Sequence, residues 1–211
     1  MELVLDIAII LFCFTIFAVS HSLLALNSTK NYIAIKYPEY LPFYRIGFVA
    51  LAIILFFLYF IVTPKPDIII YDLLPPFDLL TLIPQLIAII GLLYTLRQFD
   101  LKEFMGYEQI KRWKNHSYNK QELDEHKTLH IKGPYRICRH PLYLFTIMLL
   151  GFRPYMTLFY FLTFLATTLY FYIGSFYEER KLIEVFGSQY IEYQKKTGRI
   201  LPFKLSNLRI L

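Results

Sequence analysis

Apolar residues in this chain gather into long blocks separated by short polar stretches; they do not alternate at a strand period. Leu3 to Leu26 holds only Asp6 and His21 as titratable groups. Phe43 to Val62 carries Arg45 at its edge, and Leu79 to Leu96 carries no charge. Leu142 to Phe152 is a short fourth block, and Met156 to Phe176 is a fifth. A bilayer-spanning helix needs about 20 mostly apolar residues, so blocks one, two, three and five predict transmembrane helices. The fourth rises only about 18 Å as a helix. With the fifth it predicts a tight helical hairpin that turns at Gly151–Pro154; a re-entrant pair dipping into one leaflet is the alternative. The expected fold is all-α and membrane-integral. It has about five transmembrane helices, a C-terminal helical hairpin and a cytoplasmic amphipathic helix. All of 1–211 reads as one membrane domain, with three spans in 1–96 and a more polar half in 97–211.

Composition narrows the class. Of 211 residues, 56% are hydrophobic and 18% charged, against about 45–50% and about 25% in soluble proteins. That excludes a disordered chain and an ordinary soluble enzyme. Two cysteines exclude a disulfide scaffold. The leader Met1-Glu2 is acidic and the first apolar block is too long for a cleaved signal peptide, so a permanent first helix is expected. With five spans, all but Lys65 and Arg153 of the 22 Lys and Arg residues fall on one face. The positive-inside rule makes that face cytoplasmic and puts the N-terminus outside. The net charge of +6 is therefore an orientation signal and an attraction to anionic lipid in the bilayer. It is spread over three segments without a nucleic-acid motif, so no nucleic-acid partner is expected. The oligomeric state is not legible.

Residues 132–143 read KGPYRICRHPLY. Gly133-Pro134 is a turn signal, and Pro141 suits the first turn of a helix, where its missing N–H is no loss. Arg136, Arg139 and His140 thus stand where the chain meets the membrane, beside a helix N-terminus whose dipole favours anions. Interfacial anchoring, with Tyr135 and Tyr143 in an aromatic belt, is the plain structural alternative. The fifth block ends in Phe176-Tyr177-Glu178-Glu179-Arg180. Carboxylates at a helix C-terminus oppose the dipole. A solvated end explains one, and a buried carboxylate awaiting a cationic ligand explains the other. Neighbours on a helix diverge by about 100°, so one of the pair is expected to face inward, with Glu179 preferred. Farther on, Leu182, Ile183, Phe186, Tyr190 and Tyr193 recur at helical steps with a break at Gly187. That pattern is either a helix lying on the membrane or a lid over a ligand.

Together the stretch GPYRxxRHPxY, a hairpin, and EERxLxxxFGxxYxxYxxxxGRxxP resemble the membrane-embedded methyltransferase superfamily. That superfamily includes isoprenylcysteine carboxyl methyltransferase and phospholipid methyltransferase. The resemblance is strong over about 132–203. His21-Ser22-Leu23-Leu24-Ala25, Tyr44-Arg45, Phe99-Asp100-Leu101 with Gly106, and Pro154-x-Met156-Thr157 resemble the NnrU and methanethiol S-methyltransferase branch. Thr197-Gly198-Arg199 resembles the prenylcysteine enzymes.

The resemblance implies S-adenosylmethionine held at the cytoplasmic face in the 97–211 half by Tyr135, Arg139, His140, Tyr143, Glu178 and Glu179. Tyr190 and Tyr193 would line the adenine pocket, and Arg139, His140 and Glu179 would act in catalysis. The acceptor would be a small molecule or lipid bearing a thiol, carboxylate or amine, with His21 and Ser22 in its pocket. Where the family usually has a small residue two positions after the motif Tyr, this chain has Phe145. Cys138 reads as a bystander, and no metal site is expected because no ligand set accompanies it. The glycines form no G-x-G-x-x-G, which excludes a Rossmann-type methyltransferase and a dinucleotide fingerprint. Two other readings stay open: an NADPH-dependent membrane reductase, and a non-catalytic NnrU-like membrane factor.

Overall fold

The structure, a computed structural model, describes residues 1–119 and 128–202. The basic residues Lys120, Lys127, Lys204 and Arg209, counted above in the charge asymmetry, lie outside them, as does Phe203 of the C-terminal motif. Among the described residues four helices are long and apolar enough to cross a membrane: α1 (Glu2–Ala25), α3 (Leu41–Val62), α4 (Phe77–Leu96) and α8 (Leu158–Phe186). Between and after them lie α2 (Asn27–Lys36), α5 (Leu101–Phe104), α6 (Tyr107–Lys114), α7 (Pro141–Gly151) and α9 (Ser188–Lys196). The protein is an all-α integral membrane protein with one short two-stranded ribbon, β1 (Ile69–Asp72) with β2 (Tyr155–Thr157). Contacts gather the chain into two compact units, one of residues 1–65 and 99–128, the other of 66–98 and 129–211.

In the first unit α1 packs on α3 through buried Ile10 and the edge-to-face pair Phe14–Tyr59, 5.8 Å between centroids. Several of the upstream motif residues meet here. Asp100 caps α5 by accepting from the N–H groups of Lys102 and Glu103 at 2.9 and 3.2 Å. Arg45 Nε donates to the Phe104 carbonyl at 2.7 Å. Buried Glu103 accepts both arms of Arg112, each at 2.8 Å. This bidentate pair joins α5 to α6 and leaves neither charge alone in a part-buried setting.

The second unit is organised by α4 against α7. One face of α4 is small: Ala88, Gly91 and Thr95, spaced three and four apart, are all buried. Small faces let membrane helices approach closely. The Phe145 ring lies in that space, so a Cβ added at Gly91 would stand 2.5 Å from it. The large residue in α7 is therefore matched by a missing side chain in α4. Cys138, Leu144 and Ala88 complete this buried cluster.

α7 has 11 residues, about 16 Å, too short to cross a bilayer. Its end is satisfied from within the unit: Gln85 Nε2 donates to the Phe152 carbonyl at 2.7 Å. A free carbonyl in an apolar surrounding would cost several kcal/mol. The chain then runs extended and pairs with β1 (Ile69↔Thr157, Asp72↔Tyr155). The apolar pattern predicts a turn at Gly151–Pro154, and the chain turns there; the pattern does not reveal β2 just after it, stitched to β1. Pro154 has no N–H for a helix, yet its carbonyl accepts from Leu73 N–H at 3.0 Å.

α8 runs on for 29 residues, about 44 Å. The expected helix end at Phe176 is overturned: Glu178 and Glu179 lie two turns inside α8, away from the unfavourable dipole end. Leu182, Ile183 and Phe186 belong to α8, not to the amphipathic tail helix. Gly187, at φ +55° and ψ −130°, ends α8 in a conformation that residues with a Cβ rarely adopt.

The Gly91–Phe145 fit gives a test. Gly91→Ala should destabilise the protein by about 1–3 kcal/mol, read as a lower thermal midpoint in detergent. Adding Phe145→Leu should recover much of that loss, since the two sites share one space. Additive losses would contradict the packing.

Candidate functional site

The Gly-Pro-Tyr-Arg run folds as a 3₁₀ turn, Gly133–Arg136, and α7 begins at Pro141. Between them the N–H groups of Arg139 and His140 donate to the carbonyls of Gly198 and Arg199 at 2.9 and 3.0 Å. These two backbone bonds join the α7 threshold to the segment after α9, and both side chains reach the glutamates of α8.

Glu179 is the inward member of its pair, 3% exposed. Arg139 grips it with two arms, Nε to Oε1 at 2.7 Å and Nη2 to Oε2 at 3.1 Å. His140 Nε2 stands 3.2 Å from Oε1. Gln194 Nε2 donates to Oε2 at 2.9 Å, and Arg199 Nη2 lies 3.2 Å from it. A carboxylate offers about four lone-pair positions, and five nitrogens occupy them. The other Nη of Arg139 donates to the carbonyls of Gln194, at 3.3 Å, and Thr197. Arg199 also lies over the Phe176 ring at 3.6 Å.

Glu178 is exposed, yet it is not apart from the cluster. His140 Nδ1 lies 3.3 Å from its Oε2, and Tyr143 donates its hydroxyl to Oε1. The expectation that only one of the two glutamates faces the site is therefore corrected: the imidazole bridges them, one nitrogen to each. Only the imidazolium donates from both nitrogens. Burial opposes that charge, but the hydrogen bonds to Glu178 and Glu179 outweigh it and hold the His140 pKa above its ordinary value.

Tyr143 completes the rim. Its ring is sandwiched nearly parallel between His140, 5.1 Å away, and Phe171, 4.1 Å away. Tyr190 is 1% exposed, so its ring is enclosed by protein. Tyr193 donates to the Tyr135 carbonyl and lines a groove of about 720 Å³ with Leu129, Ile131, Arg136, Glu192 and Lys196. That volume lies within the roughly 300–1,000 Å³ of small-molecule sites. Cys138 is fully buried, which pushes its thiol pKa up to about 12, so it is no nucleophile. His21 and Ser22 belong to α1 in the first unit, where the His21 ring packs on Phe48 (4.8 Å) and Phe17 (5.9 Å).

The structure therefore unites Tyr135, Arg139, His140, Tyr143, Glu178, Glu179 and Tyr193 in one unit. Arg139 and His140 do not stand open at the helix N-terminus as an anion site, because the protein's own carboxylates fill them, whereas Arg136 lines the groove. Gln194, Phe171 and Phe176 carried no signal in the sequence. Arg199 did, through Thr197-Gly198-Arg199, but its partner could not be read from spacing.

Two measurements check the cluster. Glu179→Gln leaves Arg139 and Arg199 without a buried counter-charge and should cost about 3–5 kcal/mol; Glu178→Gln, at an exposed position, should cost less than about 1 kcal/mol. Thermal midpoints rank the two. Because His140 has a raised pKa when folded, its contribution is full below the unfolded value of about 6.5 and is lost as pH rises through the folded value. The wild-type midpoint should fall over that range, and His140→Gln should flatten the fall.

No family model matches the chain, and no solved structure matches it. Among curated proteins it is similar to a methanethiol S-methyltransferase of Pseudomonas deceptionensis, 41% identical over 68 residues, 32% of this chain and 26% of that protein. Methanethiol S-methyltransferase 1 of Bradyrhizobium diazoefficiens is 36% identical over 72 residues, 34% of this chain and 25% of that one. A methanethiol S-methyltransferase of Crocosphaera subtropica is 28% identical over 112 residues, 52% of this chain and 40% of that one. The matches thus span about a quarter to two fifths of these relatives. They support the membrane methyltransferase branch that the motifs resemble.

Proposed function

We propose that this chain is an integral-membrane methyltransferase that moves a methyl group from S-adenosylmethionine to a small thiol, on the cytoplasmic side of its membrane. The observation that carries the reading is the Arg139–His140–Glu178–Glu179 cluster, taken with relatives named for S-methylation of methanethiol.

The residues fit this donor by charge and shape. Glu179 has no acceptor capacity left, so its role is to fix Arg139, His140 and the 197–199 segment in place. Glu178 keeps an exposed carboxylate beside the Tyr143 ring. It would receive the cationic end of the donor, where an aromatic face also favours positive charge. Arg136 and Lys196 in the groove would take its carboxylate, and Leu129, Ile131 and Tyr193 its adenine. Bound there, S-adenosylmethionine would supply a methyl group on a positively charged sulfur, and the thiol sulfur would replace that sulfur on carbon. The protein's work is then placement, which can lower such a barrier by several kcal/mol. A single half-paired carboxylate near the cation is enough for binding. More negative charge would favour the charged ground state over the less charged transition state.

No base is offered by this unit's cluster. Both ring nitrogens of His140 are taken up by carboxylates that raise its pKa, and Cys138 is buried. The acceptor would have to shed its proton to water before it reacts, which suits a thiol, whose thiolate is the nucleophile. Orientation follows the charges: 129–140 and 177–199 are basic, whereas the 63–78 loop is acidic and pairs with the hairpin tip. This supports a cytoplasmic donor site and an outside N-terminus.

The test is dimethyl sulfide production by purified protein from methanethiol and S-adenosylmethionine, alongside calorimetric binding of S-adenosylmethionine and S-adenosylhomocysteine. Product should form. Its rate at low thiol should rise about tenfold per pH unit below the thiol's own pKa, with no plateau set by an enzyme base. Glu178→Gln should weaken donor binding about tenfold while the fold is kept. A folded protein that binds neither ligand would sink the reading.

A further inference from the structure

The first unit contains a separate concave feature that the methyltransferase reading does not use. An apolar groove of about 520 Å³ runs between the end of α1 and the start of α3, walled by Leu24, Ile33, Tyr40, Phe43 and Leu51. Gly47 lies along it, and a Cβ added there would meet nothing within 4 Å. The groove is thus open at its wall, unlike the filled space at Gly91. It lies where two membrane-crossing helices end, and tyrosines crowd its mouth, as is usual where a membrane meets water.

The mouth is also positive. Tyr37 lines the groove, and Lys36 Nζ sits 5.5 Å from the Tyr37 ring centroid and 5.4 Å from that of Tyr32. Lys36 is exposed and bonds the Tyr32 hydroxyl at 3.0 Å. Among the described residues no carboxylate lies within ion-pair distance of it. On another side Phe43 holds Trp113 edge-on at 5.0 Å, which brings up the last turn of α6, where Lys111 and Arg112 are paired with Glu108 and Glu103 and Lys114 follows. An apolar trough on membrane helices with an unneutralised ammonium at its lip matches a molecule with one long hydrocarbon chain and a negative head.

We propose that this groove seats an acyl chain of one anionic phospholipid, with its phosphate against Lys36. The chain's apolar surface covers the wall left open at Gly47, and the headgroup replaces water around Lys36 at a surface where each cation adds about a fivefold preference for anionic lipid.

Trp113 is the single tryptophan of the chain, and its contact with Phe43 makes it a reporter. Phosphatidylglycerol brominated at mid-chain should quench Trp113 fluorescence of the full-length protein in detergent saturably, at one lipid per chain, and at several-fold lower concentration than brominated phosphatidylcholine. Gly47→Leu, which fills the groove, should remove the saturable phase. Lys36→Gln is at an exposed position that does not bear on folding; it should keep the phase but erase the headgroup preference. Linear quenching in the wild type, equal potency of the two lipids, or a saturable phase that survives Gly47→Leu in a protein of unchanged thermal midpoint would each overturn the proposal. None of these results touches the methyltransferase reading.

Discussion

The buried carboxylate of Glu179 is the constraint on which the second unit depends. An ionised group with 3% exposure is tolerable only when it is fully paired and hydrogen-bonded. Its five nitrogen neighbours come from three stretches of chain: Arg139 and His140 before α7, Gln194 in α9, and Arg199 after it. Satisfying one charge therefore fixes the angle at which α7 meets α8 and pins the segment beyond Gly187. The backbone bridge from 139–140 to 198–199 supplies the same registration without charge. Neutral hydrogen bonds set the spacing, and the ion pairs set the depth.

That arrangement separates the two glutamates by task. Glu179 is spent inside the protein, and Glu178 stays at the surface with His140 and Tyr143 as neighbours. The imidazolium between them couples the buried charge to the exposed one, so the rim cannot rearrange without disturbing the frame. Such stiffness suits a site whose contribution is placement. Pairing with both carboxylates also holds the His140 pKa above its ordinary value, so the imidazole is biased toward its protonated form.

Much of this was legible in the chain. The four long apolar helices, the start of α7 at Pro141, the break at Gly187 and the inward turn of Glu179 follow from block length, proline chemistry and helical spacing. What was hidden follows from the limits of those signals. Apolar block length stops reporting on a helix once it leaves the membrane, so the last ten residues of α8 read as a separate tail. β1 and β2 are too short and too far apart in sequence for alternation to reveal them. The fit of Phe145 against Gly91 is a relation between two helices, and neither residue implies the other. Spacing likewise gave the participants around Arg139 and His140 but not that their counter-ions were internal. The upstream set of Tyr44-Arg45, Asp100 and Gly106 resolves into capping and a cation–carbonyl contact at the start of α3.

The bridge between 139–140 and 198–199 has a consequence for biosynthesis. Translation delivers Arg139 and His140 some sixty residues before Arg199, and Glu179 about two thirds of the way along that stretch. Until α9 and the segment after it are made, Glu179 has only Arg139 and His140 of its nitrogen partners. Gln194 and Arg199 join only when that last stretch is free of the exit tunnel. The cluster thus has a built-in order of assembly, in which the membrane helices described above are laid down before its last nitrogen partners arrive. A nascent chain halted before residue 199 would hold its spans but not its site.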